Sequence, residues 1–368
     1  MIPIDVKARA DRVRAGFEGI DGLVVTDLTN LRWLTGFSGS NGLGVVLPDE
    51  IVIVTDGRYG DQAVQQMAVS GCSGRGEVVL TAAAITGGAG RVVASLGRVG
   101  FESAHLSHQR FVELVAALQP ELVATVGLVE AGRRTKDRAE IERIQQACAI
   151  ADHALADVGP TIAPGCTEVE VRNALEQRMR ELGAAGPSYE TIVATGPVDA
   201  ALPHHRPTPT PIEVGHTLVV DVGALVDGYH SDMTRSFVIG RPTALQQEVY
   251  EVVLAAQTAG VDAVRPGLDV RELDAVCRDI VTAAGFGTWF THGTGHGVGL
   301  AIHEDPFVNA SAIWVLQEGD VVTVEPGVYR GGFGGIRVED LVEVTSSGGR
   351  TMTRSPKDTP CLPSAPTT

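Results

Sequence analysis

The chain has 368 residues, 44% of them apolar and 20% charged, and carries a net charge of −16. That length accommodates two domains with sizeable cores, and the acidic balance argues against nucleic acid or an anionic membrane as a partner. Five scattered cysteines form no C-x-x-C pair, the N-terminus has no apolar signal core, and no run approaches ~18 apolar residues, so a soluble cytoplasmic protein with reduced thiols is expected.

Residues 1–132 read as an α/β domain. Gly22 to Val25 and Glu50 to Val54 look like buried strands, and Asp61 to Val69 and His108 to Leu118 like helices. The Gly/Ser stretch from Gly36 to Gly42 has the composition of a phosphate cradle. No Walker lysine follows it and no clear helix opens there, so a plain turn is the better reading.

Residues 133–137 form a polar junction, and residues 137–357 read as a second domain. A long helix places Ile141, Ile144, Cys148, Ala151, Leu155 and Val158 at helical spacing and stops at Pro160. A second opens with a capping box at Thr167 and Glu170 and ends near Gly183. Two more helices are expected from about Thr243 to Val264 and from Asp269 to Ala284, the latter with Asp269 and Glu272 in capping-box positions. Strands follow each helix pair, which suggests a duplicated half. Residues 358–368 are rich in Pro, Thr and Ser and are expected to be disordered.

The strands of the second domain carry acids in apolar surroundings. Asp221 interrupts Leu218-Val219-Val220-Asp221-Val222, Asp232 precedes Met233, Glu325 ends Val321-Val322-Thr323-Val324, and Glu339 follows Ile336-Arg337-Val338. Burying a carboxylate is costly unless something positive compensates it. Only Arg235 and Arg337 lie nearby in sequence, too few for all four. Asp221 and Asp232 flank a turn signal at Asp227-Gly228, and folding there would set them roughly opposite each other. Glu325 and Glu339 flank Gly331-Gly332-Phe333-Gly334-Gly335 in the same way. His296, between two glycines that allow close backbone approach, offers a nitrogen. Carboxylate-rich sites with one imidazole suit Mn, Co, Fe or Zn, and a carboxylate-bridged pair of such ions is a common hydrolytic device. Gly293 to Gly299 also mimics a dinucleotide fingerprint, but no clear βαβ unit surrounds it.

The strings Asp221-Val222-Gly223-Ala224, Ser231-Asp232-Met233-Thr234-Arg235, Gly293-Thr294-Gly295-His296-Gly297-Val298-Gly299, Val324-Glu325-Pro326-Gly327-Val328-Tyr329 and Ile336-Arg337-Val338-Glu339-Asp340 resemble the five ligand motifs of the pita-bread metallopeptidases. Ala201-Leu202-Pro203-His204-His205-Arg206-Pro207 and Ile302-His303-Glu304 resemble the Xaa-Pro branch, aminopeptidase P and prolidase. Trp33 to Gly42 with Thr55 to Tyr59 resembles that family's creatinase-like N-terminal domain. The resemblance implies a creatinase-like α/β domain followed by an α+β pita-bread catalytic domain. It implies two divalent metal ions, with Mn foremost and Co, Zn or Fe as alternatives, held by Asp221, Asp232, His296, Glu325 and Glu339.

Within that scheme Glu325 doubles as ligand and proton acceptor, while His204 and His303 steady the tetrahedral oxyanion and the substrate near the proline ring. The local string leaves His204 and His205 equal, and the resemblance favours His204. His292, four residues before His296, is a candidate for support of the site. Arg337 could hold a ligand or substrate carboxylate, or make an ordinary ion pair. Tyr329 could line the pocket or the core. His105, His108, His153 and His230 belong to no motif and are read as surface or structural. The implied activity is hydrolysis of Xaa-Pro bonds at the N-terminus of small peptides, with an Xaa-Pro dipeptidase as the alternative. A methionine aminopeptidase is disfavoured by the N-terminal domain and the His204-His205 string. A metal-free creatinase-type enzyme or a non-catalytic peptide-binding module is disfavoured by the intact ligand set. The N-terminal domain, without catalytic motifs of its own, is expected to cover a pocket mouth, and a homodimer is expected.

Overall fold

The computed structural model describes residues 1–79, 81 and 84–362. The described residues divide into two compact units, residues 2–133 and residues 134–362 together with Met1.

The N-terminal unit is built on a six-stranded mixed sheet. Its order is Gly74–Val79, Ile51–Asp56, Leu43–Val46, Gly22–Val25, Arg98–Glu102, Glu121–Thr125. Gly22–Val25 is buried throughout and pairs antiparallel with Leu43–Val46 but parallel with Arg98–Glu102. The helices Ile85–Val93 and His108–Ala117 bury Val93 and Leu114 in the apolar core of the sheet. Gly36 ends the helix Leu28–Thr35 in a left-handed conformation, φ 78°, and the chain then runs into the strand Leu43–Val46. The Gly36–Gly42 stretch is therefore a turn between a helix and a strand, with Asn41 donating to Asp56 Oδ2 at 2.7 Å.

The C-terminal unit repeats one design twice. In the first half, the helices Arg138–Val158 and Glu168–Glu181 precede three antiparallel strands, Ile192–Thr195, Thr217–Asp221 and Thr234–Val238, with Thr217–Asp221 in the centre. In the second, Ala244–Ala263 and Val270–Ala283 precede Gly295–Gly297, Val321–Val324 and Asp340–Thr345, with Val321–Val324 in the centre. Each half has its own apolar core beneath its helices. The expected duplication is thus visible in topology, where strand order and helix pairing coincide.

Helix starts follow local chemistry. Thr167 and Glu170 form the expected capping box, and Asp137 with Glu140 and Thr243 with Gln246 form two more. Asp269 departs from expectation. It accepts from the Arg271 N–H at 2.8 Å and pairs with that residue's guanidinium, so it is not engaged in a box with Glu272. The C-terminal segment also departs from expectation before residue 363. The Val238 N–H donates to the Pro360 carbonyl at 2.7 Å, and the Tyr250 hydroxyl donates to the carbonyls of Lys357 and Thr359 at 3.0 and 3.1 Å. Backbone groups satisfied in this way order residues 357–361 despite their composition. The expectation of disorder for 363–368 lies outside the described residues.

Candidate metal centre

Two hairpins carry the acids. In the first, Asp221 pairs with Thr234 and Val226 with Tyr229 around the turn at Asp227-Gly228. Asp232 is therefore offset by two residues from the position facing Asp221, rather than opposite it. An offset of two preserves the face, so both side chains still point to one side of the sheet. In the second hairpin, Val324 pairs with Asp340 and Gly327 with Arg337. One register holds on both sides, which puts Glu325 and Glu339 in facing positions.

The hairpins meet because the Glu339 N–H donates to the Thr234 carbonyl at 3.2 Å and the Thr234 hydroxyl donates to Glu339 Oε2 at 2.7 Å. Carboxylate oxygens of Asp221, Asp232 and Glu339 thereby lie within 4.8 Å of one another, all buried. His296 Nε2 lies 3.6 Å from Asp232 Oδ2 and 3.4 Å from Glu325 Oε1. Its Nδ1 is 3.1 Å from the Gly297 carbonyl. A carbonyl only accepts, so Nδ1 carries the proton and Nε2 turns its lone pair to the acids.

The cluster is short of positive charge. Arg337 donates to Asp221 Oδ2 at 2.7 Å. Arg235, the other cation expected nearby, is bound instead to the Asp340 carboxylate and to backbone carbonyls, including that of Glu339. Burial, and then the neighbouring carboxylates, push Asp232 and Glu339 well above the ordinary carboxylate range, and burial raises Glu325. Four acids facing one guanidinium and one neutral imidazole fit a site for divalent cations, which would remove the cost of that burial.

All five sequence-selected residues line one cavity of about 420 Å³, together with His204, His303, His292 and Arg337. The His303 ring lies 4.3 Å from that of His296, nearly edge-on. Burial and the His296 ring lower its pKa, so it is neutral near pH 7. The two adjacent histidines separate clearly. His205 is buried with Nε2 2.8 Å from Glu168 Oε2, whereas His204 is exposed in the cavity.

Arg337 does not face solvent. Its remaining donors go to the Thr234 hydroxyl, the Pro203 carbonyl and the Tyr329 hydroxyl at 2.8, 3.2 and 2.6 Å. Tyr329 is buried and donates to His292 Nε2 at 3.2 Å, while His292 Nδ1 donates to the Gly293 carbonyl at 2.7 Å. Tyr329 thus backs the site through Arg337 and His292. Of the unassigned histidines, His105 contacts Glu130 at 2.6 Å and His230 contacts the Ser188 hydroxyl at 2.8 Å.

Tyr189 is a site residue that no sequence motif marks. Its hydroxyl donates to Asp221 Oδ1 and to Asp232 Oδ1, the latter at 2.5 Å. It comes from the loop before Ile192–Thr195, and its only signal is an aromatic residue beside Ser188 and Glu190. Glu168 shows in the sequence only as part of a capping string, yet it is fully buried and also accepts from the Thr195 N–H at 2.7 Å.

Residues 142–346 match the model of metallopeptidase family M24, and residues 9–135 that of the creatinase/prolidase N-terminal domain. The chain belongs to metallopeptidase family M24: it is a metallopeptidase of pita-bread fold with a creatinase-type N-terminal domain. It is 39% identical to an uncharacterized peptidase of Bacillus subtilis, over 92% of this chain and 95% of that protein. It is 42% identical to an Xaa-Pro dipeptidase of Pyrococcus furiosus over 61% of this chain, a match spanning 65% of that protein's length. An Xaa-Pro dipeptidase from Bacillus anthracis superposes with a TM-score of 0.92 at 37% identity, covering 97% of this chain and 100% of that one.

Proposed function

We propose that this chain is a metal-dependent Xaa-Pro dipeptidase. The observation that carries the reading is the convergence of Asp221, Asp232, His296, Glu325 and Glu339 on one cavity that His204 and His303 also line. The dipeptidase reading, the alternative at the level of sequence, is preferred to the aminopeptidase one because similar proteins of Pyrococcus furiosus and Bacillus anthracis carry that name.

The five residues would hold two divalent ions, manganese foremost, which supply a Lewis acid and lower the pKa of water toward neutrality. Glu325, at 3.4 Å from His296 Nε2 and raised by burial, is placed to take the proton of the attacking water. His303 is neutral and donates to the oxyanion as it forms, and His204 faces the same space. An Xaa-Pro bond has no N–H, so recognition of the leaving side falls on the ring and on the carboxylate or residue beyond it.

Metal-loaded protein should hydrolyse Ala-Pro faster than Ala-Pro-Ala, with Mn, Co and Zn compared in parallel. A clear preference for the tripeptide returns the assignment to an aminopeptidase, and no cleavage of either removes the Xaa-Pro reading. A homodimer is the reading of assembly, to be checked by sedimentation.

A further inference from the structure

We propose that Asp274 and Arg278 are positioning residues for His296 and Glu325, and that through them they govern the binding of one metal ion of the pair. This rests on the two-ion reading above. The ligand residues hang on two different anchors. Asp221, Asp232 and Glu339 are gathered by hydrogen bonds from Arg337, Tyr189 and Thr234. His296 and Glu325 are tied to each other. The Thr323 hydroxyl accepts from the His296 N–H at 3.0 Å and donates to Glu325 Oε1 at 3.1 Å. The Glu325 N–H donates to the Thr294 carbonyl at 2.8 Å. Both ligands therefore follow the segment 294–296.

That segment is soft by composition, because glycines flank Thr294 on both sides. Gly295 cannot be exchanged for a stiffer residue. An added Cβ there would lie 2.1 Å from the Thr323 carbonyl oxygen, so the close approach that brings His296 to the acids excludes a side chain. The restraint has to come from outside the strand.

Asp274 supplies it from the helix Val270–Ala283. It is 1% exposed, and its Oδ1 accepts from the Thr294 N–H at 3.1 Å and from the Thr294 hydroxyl at 2.8 Å. Arg278, one turn further along the helix, donates to both oxygens of Asp274 at 2.8 and 2.9 Å. The same guanidinium donates to the carbonyls of Phe290 and His292 at 3.2 and 2.8 Å and lies 4.2 Å from the centre of the Phe290 ring. A planar fork makes these bonds in fixed directions, which an ammonium of equal charge does not. One buried ion pair thus fastens the chain at 290, 292 and 294 to a helix, and the two ligands are carried on the far end of that chain.

The test titrates metal-free wild type, R278Q, R278K and T294V with Mn by calorimetry, beside electron paramagnetic resonance at two equivalents. Wild type should bind two Mn and give the signal of a coupled pair. R278Q removes the fork, and T294V removes one hydroxyl while keeping the shape. Each should weaken one equivalent about ten-fold, the lower end of the range for groups behind a metal ligand, and keep the other. Uncoupled Mn should then appear at two equivalents. R278K should recover part of the affinity lost in R278Q, and turnover of Ala-Pro by R278Q should fall at low Mn and return as Mn is raised. Wild type that binds two Mn while R278Q and T294V bind both as tightly overturns the positioning role alone. Equal weakening of both equivalents also overturns it, since general loss of stability would act that way. Should R278Q lack a cooperative melt, T294V decides by the same titration. Wild type that binds fewer than two Mn overturns the two-ion reading and this inference with it.

Discussion

Glu325 and Glu339 occupy facing positions in the gap between two paired segments that share one register, with Val324 opposite Asp340 on one side of them and Gly327 opposite Arg337 on the other. Their proximity is therefore a property of strand pairing, and it exists before any metal binds. Glu339 is the more buried of the two and is fastened to Thr234 of the other hairpin at 2.7 Å.

The first prediction rests on that placement. Glu339→Gln keeps the shape and the link to Thr234 but removes a charge the cluster cannot neutralise. Changes behind a metal site typically cost ~10–100-fold in affinity, so loss of this carboxylate should cost at least that. Elemental analysis after Mn loading should show less metal than in wild type. At alkaline pH, where Glu339 of the wild type must give up its proton, the metal-free variant should melt higher than metal-free wild type, because no uncompensated buried charge has to form. A lower melting temperature with full metal content would contradict both halves.

The pH dependence of the metal-free protein has a definite sign. Asp232 and Glu339 are raised well above the unfolded values of about 3.9 and 4.3. The folded chain therefore keeps protons that the unfolded chain releases. This contribution to stability is present below the unfolded pKa values and is lost as pH rises through the folded ones. Metal-free wild type should lose melting temperature as pH rises above the unfolded carboxylate values, and E339Q should lose less. Metal should raise the melting temperature more at the alkaline end, and activity should fall in acid as protons displace metal. Equal slopes for the two metal-free proteins would refute the assignment.

His204 and His205 should fail in different ways. His204→Ala should retain metal and stability and lose ~10²–10³ in turnover, the usual cost of one well-placed donor. His205→Ala strips a partner from buried Glu168 and should cost about 1–3 kcal/mol of stability, with a smaller effect on turnover in the folded fraction. Denaturant melts beside kcat measurements check this, and the opposite pattern would exchange the two roles.

Tyr189→Phe removes the hydroxyl shared by Asp221 and Asp232. It should weaken Mn binding by ~10–100-fold while leaving the fold intact. Titration with Mn followed by calorimetry reads this directly, and unchanged affinity would assign Tyr189 to packing alone.

Proline itself should matter by a bounded amount. Its ring fills apolar volume and arrives with φ fixed, so Ala-Pro should exceed Ala-Ala in kcat/KM by about 1–3 kcal/mol, the scale set by one or two methylenes of contact. Equal rates would remove the proline pocket.

The chemistry of the site is legible in the letters because the four acids stand where apolar strands make them expensive, and His296 stands between glycines. The second hairpin is also legible, since Glu325 and Glu339 are placed symmetrically about the glycine turn. The first is legible only to within two residues. The turn lies where Asp227-Gly228 puts it, but Asp221 faces Thr234, and Asp232 reaches the cluster from a diagonal position on the same face. Period-two alternation makes that slip harmless.

Sequence by itself thus determined the element pattern, the paired helices and the residue types that converge, because propensity, capping and alternation are local. Tertiary structure decided which partners each of them meets. Arg235 is drawn to Asp340, Arg337 to Asp221, His205 to Glu168, and Tyr189, from a loop, to two acids of the first hairpin. Those pairings span from 32 to 116 positions of chain. No local rule carries information over such separations. They arise when each buried charge must find its partner among the groups that packing leaves within reach.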